Sequence, residues 1–121
     1  MQRPARRLKR KRVFVSFDHD NDVALRNFIV GQARLGDSPF EVVDHSLKGT
    51  APEALWERKA GRDIARSDIV FVMLGRRARF APGVLKEVRM ARSTGKPIFQ
   101  IMGYRNGSRA WRIAGAGRVY L

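Results

Sequence analysis

Glu87 is the residue whose type and position best fit chemistry. It is the only carboxylate side chain between Ile69 and Leu121, and it falls in a segment, residues 81–88, that predicts the opening of a helix. A surface glutamate on a helix usually has a cation three or four residues away. Here those positions hold uncharged residues, namely Gly83, Val84, Met90 and Ala91. At about 100° per residue, Glu87 borders the apolar stripe that should face the protein, so we take it as a candidate site residue.

Composition predicts one compact domain. The chain has 121 residues, of which 44% are hydrophobic, which is enough for one core and too little for two of ordinary size. The absence of cysteine excludes disulfides, thiolate metal sites and cysteine nucleophiles. No apolar run approaches the ~20 residues that cross a bilayer, so we expect a cytoplasmic protein without membrane contact. His19 and His45 lack metal-ligand spacing, and we expect no metal site.

The net charge of +14 is unevenly distributed. Residues 1–12 carry seven Arg or Lys and no acid, residues 13–75 sum to about −3, and residues 76–121 to about +10. We expect residues 1–11 to form a basic, disordered arm in front of a domain over residues 12–121. Such an arm either binds nucleic acid or an anionic surface by counterion release or only keeps the protein in solution, and the sequence leaves both open.

Strands and helices are predicted to alternate along the chain. β-Branched and aromatic runs predict strands at Arg12–Phe17, Phe40–Val43, Asp68–Leu74 and Ile98–Met102, with a further short one at Arg118–Leu121. Helical spacing predicts helices from Val23 to about Arg34 with Asp20, Asn21 or Asp22 as its cap, from Pro52 to Arg66 after a capping box at Thr50, and from Gly83 to Ser93. This alternation predicts a flavodoxin-like α/β fold, a three-layer sandwich around a parallel sheet of order 2-1-3-4, extended by the fifth strand where it forms.

Ligands of such sheets bind beyond the carboxyl ends of the strands, near the switch point between the first and third strands. That rule brings residues 17–22, 44–48, 75–80 and the start of the third helix to one rim. The cationic loop with Arg76, Arg77 and Arg79 and the candidate Glu87 therefore converge. Backbone N–H groups at Gly83 and the arginines of this loop are suited to a pyrophosphate.

Five segments, in this order along the chain, form a recognisable pattern. They are Val-Phe-Val-Ser-Phe-Asp (13–18), Ser-Pro-Phe-Glu with Asp44 (38–44), Asp-Ile-Val-Phe-Val-Met-Leu-Gly (68–75), Ala-Pro-Gly-Val-Leu-Lys-Glu-Val (81–88) and Gly-Lys-Pro-Ile (95–98). The pattern resembles the TIR-like sensor domain of Thoeris anti-phage defence systems, and the likeness extends from Arg12 to Tyr120. The resemblance implies a TIR fold and cleavage of the nicotinamide–ribose bond of NAD, giving a cyclic ADP-ribose-type signal for a partner effector. NAD is then the substrate, and no cofactor is implied.

The resemblance also implies a set of site residues. The family's catalytic glutamate falls on Glu87. The residues that match its nucleotide pocket are Phe17, Asp18, Asp44, Ser46 and Gly75. To these the rim argument adds Arg79 and Gly83, and Phe17 is placed to stack on either nicotinamide or adenine.

A single carboxylate suffices for this reaction. Glycosidases usually need a second one to protonate the leaving oxygen. The nicotinamide of NAD is already a pyridinium cation and leaves as a neutral molecule, so what remains is to stabilise an oxocarbenium-like ribose. One ionised glutamate beside the ribose can do this.

Three other functions compete with the enzyme. A non-catalytic TIR-like interaction module would bind other TIR domains or an effector, and homo-oligomerisation is open in either case. A phospho-acceptor receiver is disfavoured because Lys96 precedes its strand and lies at the wrong end of the sheet. Nucleic-acid binding through the arm and the basic C-terminal half would be sensitive to salt and blind to sequence. The alternative is that these carboxylates are purely structural. In that case Glu87 pairs with an arginine of another element, and Asp18, Asp20 and Asp22 only shape a turn.

Overall fold

The fold is a parallel five-stranded sheet of order β2-β1-β3-β4-β5 with helices on both faces. The structure is a computed structural model that describes residues 10–43 and 52–120. The strands are β1 (Lys11–Ser16), β2 (Phe40–Val42), β3 (Ile69–Met73), β4 (Ile98–Ile101) and β5 (Arg118–Tyr120). The helices are α1 (Val23–Ala33), α2 (Glu53–Ala65) and α3 (Pro82–Ser93), with single 3₁₀ turns at Ala78–Phe80 and Arg109–Trp111. The predicted flavodoxin-like fold and strand order are confirmed, and the fifth strand extends the sheet.

Two apolar cores lie on the two faces of the sheet. On one face α2 and α3 pack against the central strands, where Ile64 and Val88 share a core with Val70 and Val72. On the other face α1 packs through Leu25 and Ile29 against Val13, Val15 and Met73. Because β1 and β3 are covered on both sides, they read as continuous apolar runs in the sequence rather than alternating ones.

The starts of the helices depart slightly from prediction. Pro82 occupies the first position of α3, where its fixed φ suits a helix and its missing N–H costs no hydrogen bond. Asp22 is at the N-cap position of α1, but its side chain makes no capping hydrogen bond and instead accepts one from the Tyr104 hydroxyl. The predicted carboxylate cap is therefore wrong for Asp22. α2 begins at Glu53, after Pro52, and the predicted capping residue Thr50 lies outside the described residues.

The three central strands end together at one edge of the sheet. Ser16 of β1 is in register with Val72 of β3, and Met73 is in register with Ile101 of β4. The loops that follow β1 and β3 therefore share one rim with the start of α3, as the sequence predicts. The connection from β4 to β5 begins at the same edge, and it brings residues that the prediction did not place there.

Two further expectations concern the ends and surroundings of the fold. The predicted basic arm, residues 1–11, lies outside the described part except for Arg10 and Lys11. Arg10 is tied to the end of α1, because its guanidinium donates to the Gly36 carbonyl oxygen at 3.1 Å. Within residues 10–43 and 52–120, no helix has both the length and the apolar character needed to cross a membrane.

Candidate functional site

Glu87 is buried between α3 and the end of β1. Only 3% of the residue is exposed, and the Ser16 hydroxyl donates a hydrogen bond to its Oε1 atom at 2.5 Å. Ser16 is the last residue of β1, so the carboxyl group lies at the carboxyl end of the first strand. The sequence predicted Glu87 at the border of the apolar stripe of α3. The structure places it inside that stripe, on the buried face with Val84 and Val88.

Burial changes the protonation of this carboxyl group. Desolvation raises the pKa of Glu87 from its usual value of 4.5 to about 8, while the hydrogen bond from Ser16 acts in the opposite direction. Glu87 is therefore mostly protonated at neutral pH when the site is empty. A cation brought next to it would favour the ionised form and lower the pKa again.

A cavity of about 550 Å³ opens at this rim. Several of its lining residues are close in sequence to Ser16 and Glu87, the two partners of the buried hydrogen bond. Phe17 and Asp18, which follow Ser16, form one side, and Val84 and Lys86, which precede Glu87, form another. The remaining lining residues are His19, Asp20, Asn21, Glu53, Trp56, Arg77, Phe80, Ala81, Pro82 and Gly83. Glu87 does not line the cavity, whereas its sequence neighbours Lys86 and Val84 and the neighbour of Ser16, Phe17, do.

Aromatic side chains supply much of the cavity surface. The Phe17 ring stacks on the His19 ring, with 4.2 Å between centroids and 29° between planes. Trp56 of α2 also lines the cavity and packs close to the start of α3, since a Cβ atom on Gly83 would lie 3.4 Å from the Trp56 ring. The cavity therefore offers aromatic surface to a planar ring.

Lys86 fixes α2 against α3 at the cavity mouth. Its ammonium group contacts the carboxylates of Glu53 and Glu57. The hydrogen bond from Lys86 lowers the pKa of Glu53, and the same contacts raise the pKa of Lys86. The contact keeps the first turn of α2, with Trp56, beside the first turns of α3.

The loop after β3 is cationic and carries an exposed ring. Phe80 is 67% exposed, and the Arg79 guanidinium lies 4.4 Å from the centroid of its ring. Arg79 also donates to the Arg76 carbonyl oxygen at 2.9 Å. A separate cavity of about 470 Å³ is lined by Arg76, Arg77, Arg79 and Phe80. Arg77 also lines the 550 Å³ cavity. Among the three arginines of this loop, Arg77 is the one that lines both cavities.

Asp22 is a second buried carboxyl group at this rim, with 1% of the residue exposed. Its Oδ1 atom accepts the Tyr104 hydroxyl at 3.1 Å. The pKa of Asp22 is raised, mainly by desolvation and also by the nearby Asp18 carboxylate. The Tyr104 hydroxyl and the Gly75 backbone N–H act in the opposite direction. A Cβ atom on Gly75 would lie 1.9 Å from Oδ1, so the glycine is required for Asp22 to occupy this position.

The structure brings only part of the predicted set together. Phe17, Asp18 and Gly83 line the 550 Å³ cavity, and Glu87 does not line it but is hydrogen-bonded to Ser16, which precedes Phe17. Asp18 also shapes its own turn, because its carboxylate accepts the Asp20 backbone N–H at 3.0 Å and the Asn21 side-chain amide at 2.7 Å.

The other predicted residues lie elsewhere. Gly75 packs against Asp22, and Arg79 lines the 470 Å³ cavity rather than the larger one. Asp44 and Ser46 lie outside the described residues. Within residues 10–43 and 52–120, no group of three or more His, Cys, Asp or Glu side chains is arranged to hold a metal ion.

Sequence reasoning missed Trp56 and Lys86 as cavity residues, and it did not single out Trp111, which borders a smaller cavity at the same rim. A usable signal existed for the first two. In a parallel α/β fold, a helix that follows a strand begins at the carboxyl edge of the sheet, so its first turns face the ligand rim.

The sequence matches no protein-family model and no curated protein, but its fold is similar to solved structures. A conserved protein from Enterococcus faecalis V583 has a TM-score of 0.65 at 16% identity, covering 93% of this chain and 91% of that one. The TIR domains in the structure of the activated Roq1 resistosome directly recognizing the pathogen effector XopQ have a TM-score of 0.55 at 12% identity, covering 75% of this chain and 56% of that one. At these identities the likeness shows the fold alone. The fold is a TIR-like α/β fold.

Proposed function

We propose that this chain is a TIR-like NAD-cleaving enzyme of the Thoeris type, which makes a cyclic ADP-ribose-type signal in prokaryotic anti-phage defence. The observation that carries the proposal is the position of Glu87, hydrogen-bonded to the last residue of β1 and next to the wall of an aromatic-lined cavity. The ordered likeness of the chain to Thoeris sensor domains supplies the substrate. The effector protein is reached through the diffusible product, and self-association of the chain is compatible with this function.

In the proposed reaction, the nicotinamide riboside half of NAD occupies the 550 Å³ cavity with its ring beside Phe17. The C1′–N1 bond breaks and its electron pair neutralises the pyridinium nitrogen, so nicotinamide leaves without a proton donor. The ribose becomes an oxocarbenium-like cation, which the ionised Glu87 stabilises. A ring nitrogen of the adenine then attacks C1′ to close the cyclic product, and water attacks C1′ in the hydrolytic branch.

Substrate binding must both uncover and ionise Glu87 in this scheme. The carboxyl group is 3% exposed, so Phe17 or Val84 has to shift for the ribose to reach it. The positive charge of the nicotinamide ring then opposes the desolvation that raises the pKa to about 8. In this scheme Glu87 ionises only when the positively charged nicotinamide ring is bound next to it.

The pyrophosphate has two sources of positive potential at the same rim. Arg77 lines the cavity, and Gly83 is in the first turn of α3, where backbone N–H groups lack intrahelical acceptors. Together they can hold the phosphates between the two nucleosides.

The direct test is nicotinamide release from NAD by the purified full chain. Glu87→Gln keeps the size of the side chain and removes its ability to ionise, and Glu41→Gln makes the same chemical change at an exposed position of β2. We expect release by the wild type and by Glu41→Gln, and a loss of about a hundredfold or more in Glu87→Gln, the scale of one lost electrostatic stabiliser. No release from any variant, or equal release from all three, would contradict the proposal.

The second candidate, a non-catalytic TIR-like interaction module, is favoured by one observation. Glu87 is buried, hydrogen-bonded to Ser16 and absent from the cavity lining, which also suits a structural carboxyl group. In that case Glu87→Gln changes the stability of the fold and its pH dependence, and NAD added in excess leaves the thermal unfolding temperature of the wild type unchanged. Release of nicotinamide by the wild type, lost in Glu87→Gln, would exclude this candidate.

Nucleic-acid binding by the basic arm stays a prediction from charge. Removing residues 1–9 keeps Arg10 and its contact with the end of α1. We expect the full chain to bind single-stranded DNA with an affinity that falls steeply with salt, and the shortened chain to bind more weakly with a shallower salt slope. Equal slopes would show that the arm contributes nothing to such binding.

A further inference from the structure

A cavity of about 280 Å³ adjoins the larger one at the rim. Three segments line it, and their residues are Asn21 and Asp22 before α1, Arg76 and Arg77 after β3, and Tyr104, Asn106 and Trp111 in the β4–β5 connection. Asn21 and Arg77 line both cavities. The two cavities are therefore neighbours, with one arginine common to both.

Asp22 supplies an unused acceptor in this smaller cavity. It is 1% exposed, and its Oδ1 atom accepts the Tyr104 hydroxyl. The Gly75 backbone N–H lies close enough to lower the pKa of the carboxyl group, but Oδ2 makes no hydrogen bond of normal geometry within the part of the chain that the structure describes. Buried polar atoms nearly always have a partner, because leaving one without a partner forfeits its hydration. The atom calls for an N–H or O–H donor from outside the chain.

The rest of the lining defines the body of that ligand. Tyr104 and Trp111 are half-buried and meet edge to face, with 6.3 Å between ring centroids and 76° between planes. Their surfaces suit a flat ring. Arg76 and Arg77 are exposed at the same cavity and suit a phosphate group.

We infer that the smaller cavity binds the adenosine half of the dinucleotide, with the exocyclic amine of adenine donating to Oδ2 of Asp22. The adenine ring lies against Trp111 and Tyr104, and the phosphate lies between Arg76 and Arg77. The inference rests on the proposed function for the other half of the ligand. It makes Asp22 the residue that selects adenine, because the ionised carboxylate only accepts hydrogen bonds and a purine without the amine offers it no donor at this ring position.

The experiment compares AMP with purine riboside 5′-monophosphate, which differs from AMP only in lacking the exocyclic amine at that ring position, by calorimetric titration of the wild-type chain. A site built around a hydrogen bond rejects the analogue that lacks it. We expect AMP to bind at least about tenfold more tightly than the analogue without the amine, the scale of one hydrogen bond to a charged group. Equal affinities, or no binding of AMP, overturn the inference without any variant.

Variants then locate the selectivity. Asp22→Asn replaces one acceptor oxygen by a donor and should remove the preference for AMP, whereas Asp37→Asn makes the same charge change at an exposed turn and should keep it. A preference that survives Asp22→Asn overturns the assignment. If Asp22→Asn does not fold, Arg76→Ala tests the placement of the phosphate. This substitution should weaken the binding of AMP about tenfold and leave the binding of adenosine unchanged. Equal effects on the two affinities would overturn the placement.

The outcomes separate this inference from the proposed function. Selective AMP binding without cleavage of NAD would overturn the enzyme and keep the adenine site. Cleavage of NAD together with equal affinities for AMP and for the analogue without the amine would keep the enzyme and overturn the adenine site.

Discussion

Glu87 should make the stability of this protein fall as pH rises through neutrality. The folded state holds the Glu87 proton up to about pH 8, whereas the unfolded chain releases it near the usual pKa of 4.5. Between these two values the folded state binds more protons, so the free energy of unfolding decreases with pH and levels off above about 8. The shift sets an upper limit of roughly 5 kcal/mol on this effect, at 1.36 kcal/mol for each pKa unit.

The matched measurement uses urea unfolding of wild type and Glu87→Gln at intervals from about pH 5 to about pH 9. Glutamine cannot ionise, so the wild type should lose stability relative to Glu87→Gln across this range, by at least about 2 kcal/mol if half of the limit is realised. Glu41→Gln, at an exposed position, should follow the wild-type curve. Parallel curves for wild type and Glu87→Gln at all pH values would refute the argument that Glu87 is buried as a neutral acid.

Two further substitutions test the contacts around the site. Gly75→Ala should destabilise the fold by about 1–3 kcal/mol in urea unfolding, because its Cβ atom would lie 1.9 Å from Oδ1 of Asp22. Gly31→Ala, in the last turn of α1 with nothing within 4 Å of the added atom, should be neutral or stabilising by up to about 1 kcal/mol. Equal losses of stability in the two variants would refute the close contact between Gly75 and Asp22. Ser16→Ala removes the hydrogen bond that lowers the pKa of Glu87, so the pH at which the stability curve levels off should rise. An unchanged curve would show that this hydrogen bond has no effect on ionisation.

The sequence was sufficient for the fold because the relevant signals are local. The uninterrupted apolar run of β3 and the 3.6-residue spacing of α3 each follow from a few adjacent residues, and strand order follows from the rules of right-handed crossover. The rim was predictable for the same reason, since parallel strands end at one edge. The burial of Glu87 was underestimated because helical angle alone does not show how deeply the flank of a helix packs into a sheet.

The chemistry of the second carboxyl group was not predictable. An aspartate just before a helix is normally read as a cap, but the partner that competes for Asp22 is Tyr104, which is 82 residues away in sequence. The contact between Trp56 and the glycine at the start of α3 likewise joins two helices that sequence periodicity treats separately. Long-range side-chain contacts decided these roles, and no local pattern encodes them.

The central claim is that an ionised Glu87 drives cleavage of NAD, and the pH profile of kcat/KM for nicotinamide release tests it most directly. This parameter reports the free enzyme, in which burial raises the pKa of Glu87 to about 8. We expect the wild-type profile to rise with pH, with a midpoint near that value, and the residual activity of Glu87→Gln to lack the rise. A profile that is flat across this range, or a rise that persists in Glu87→Gln, would contradict the account.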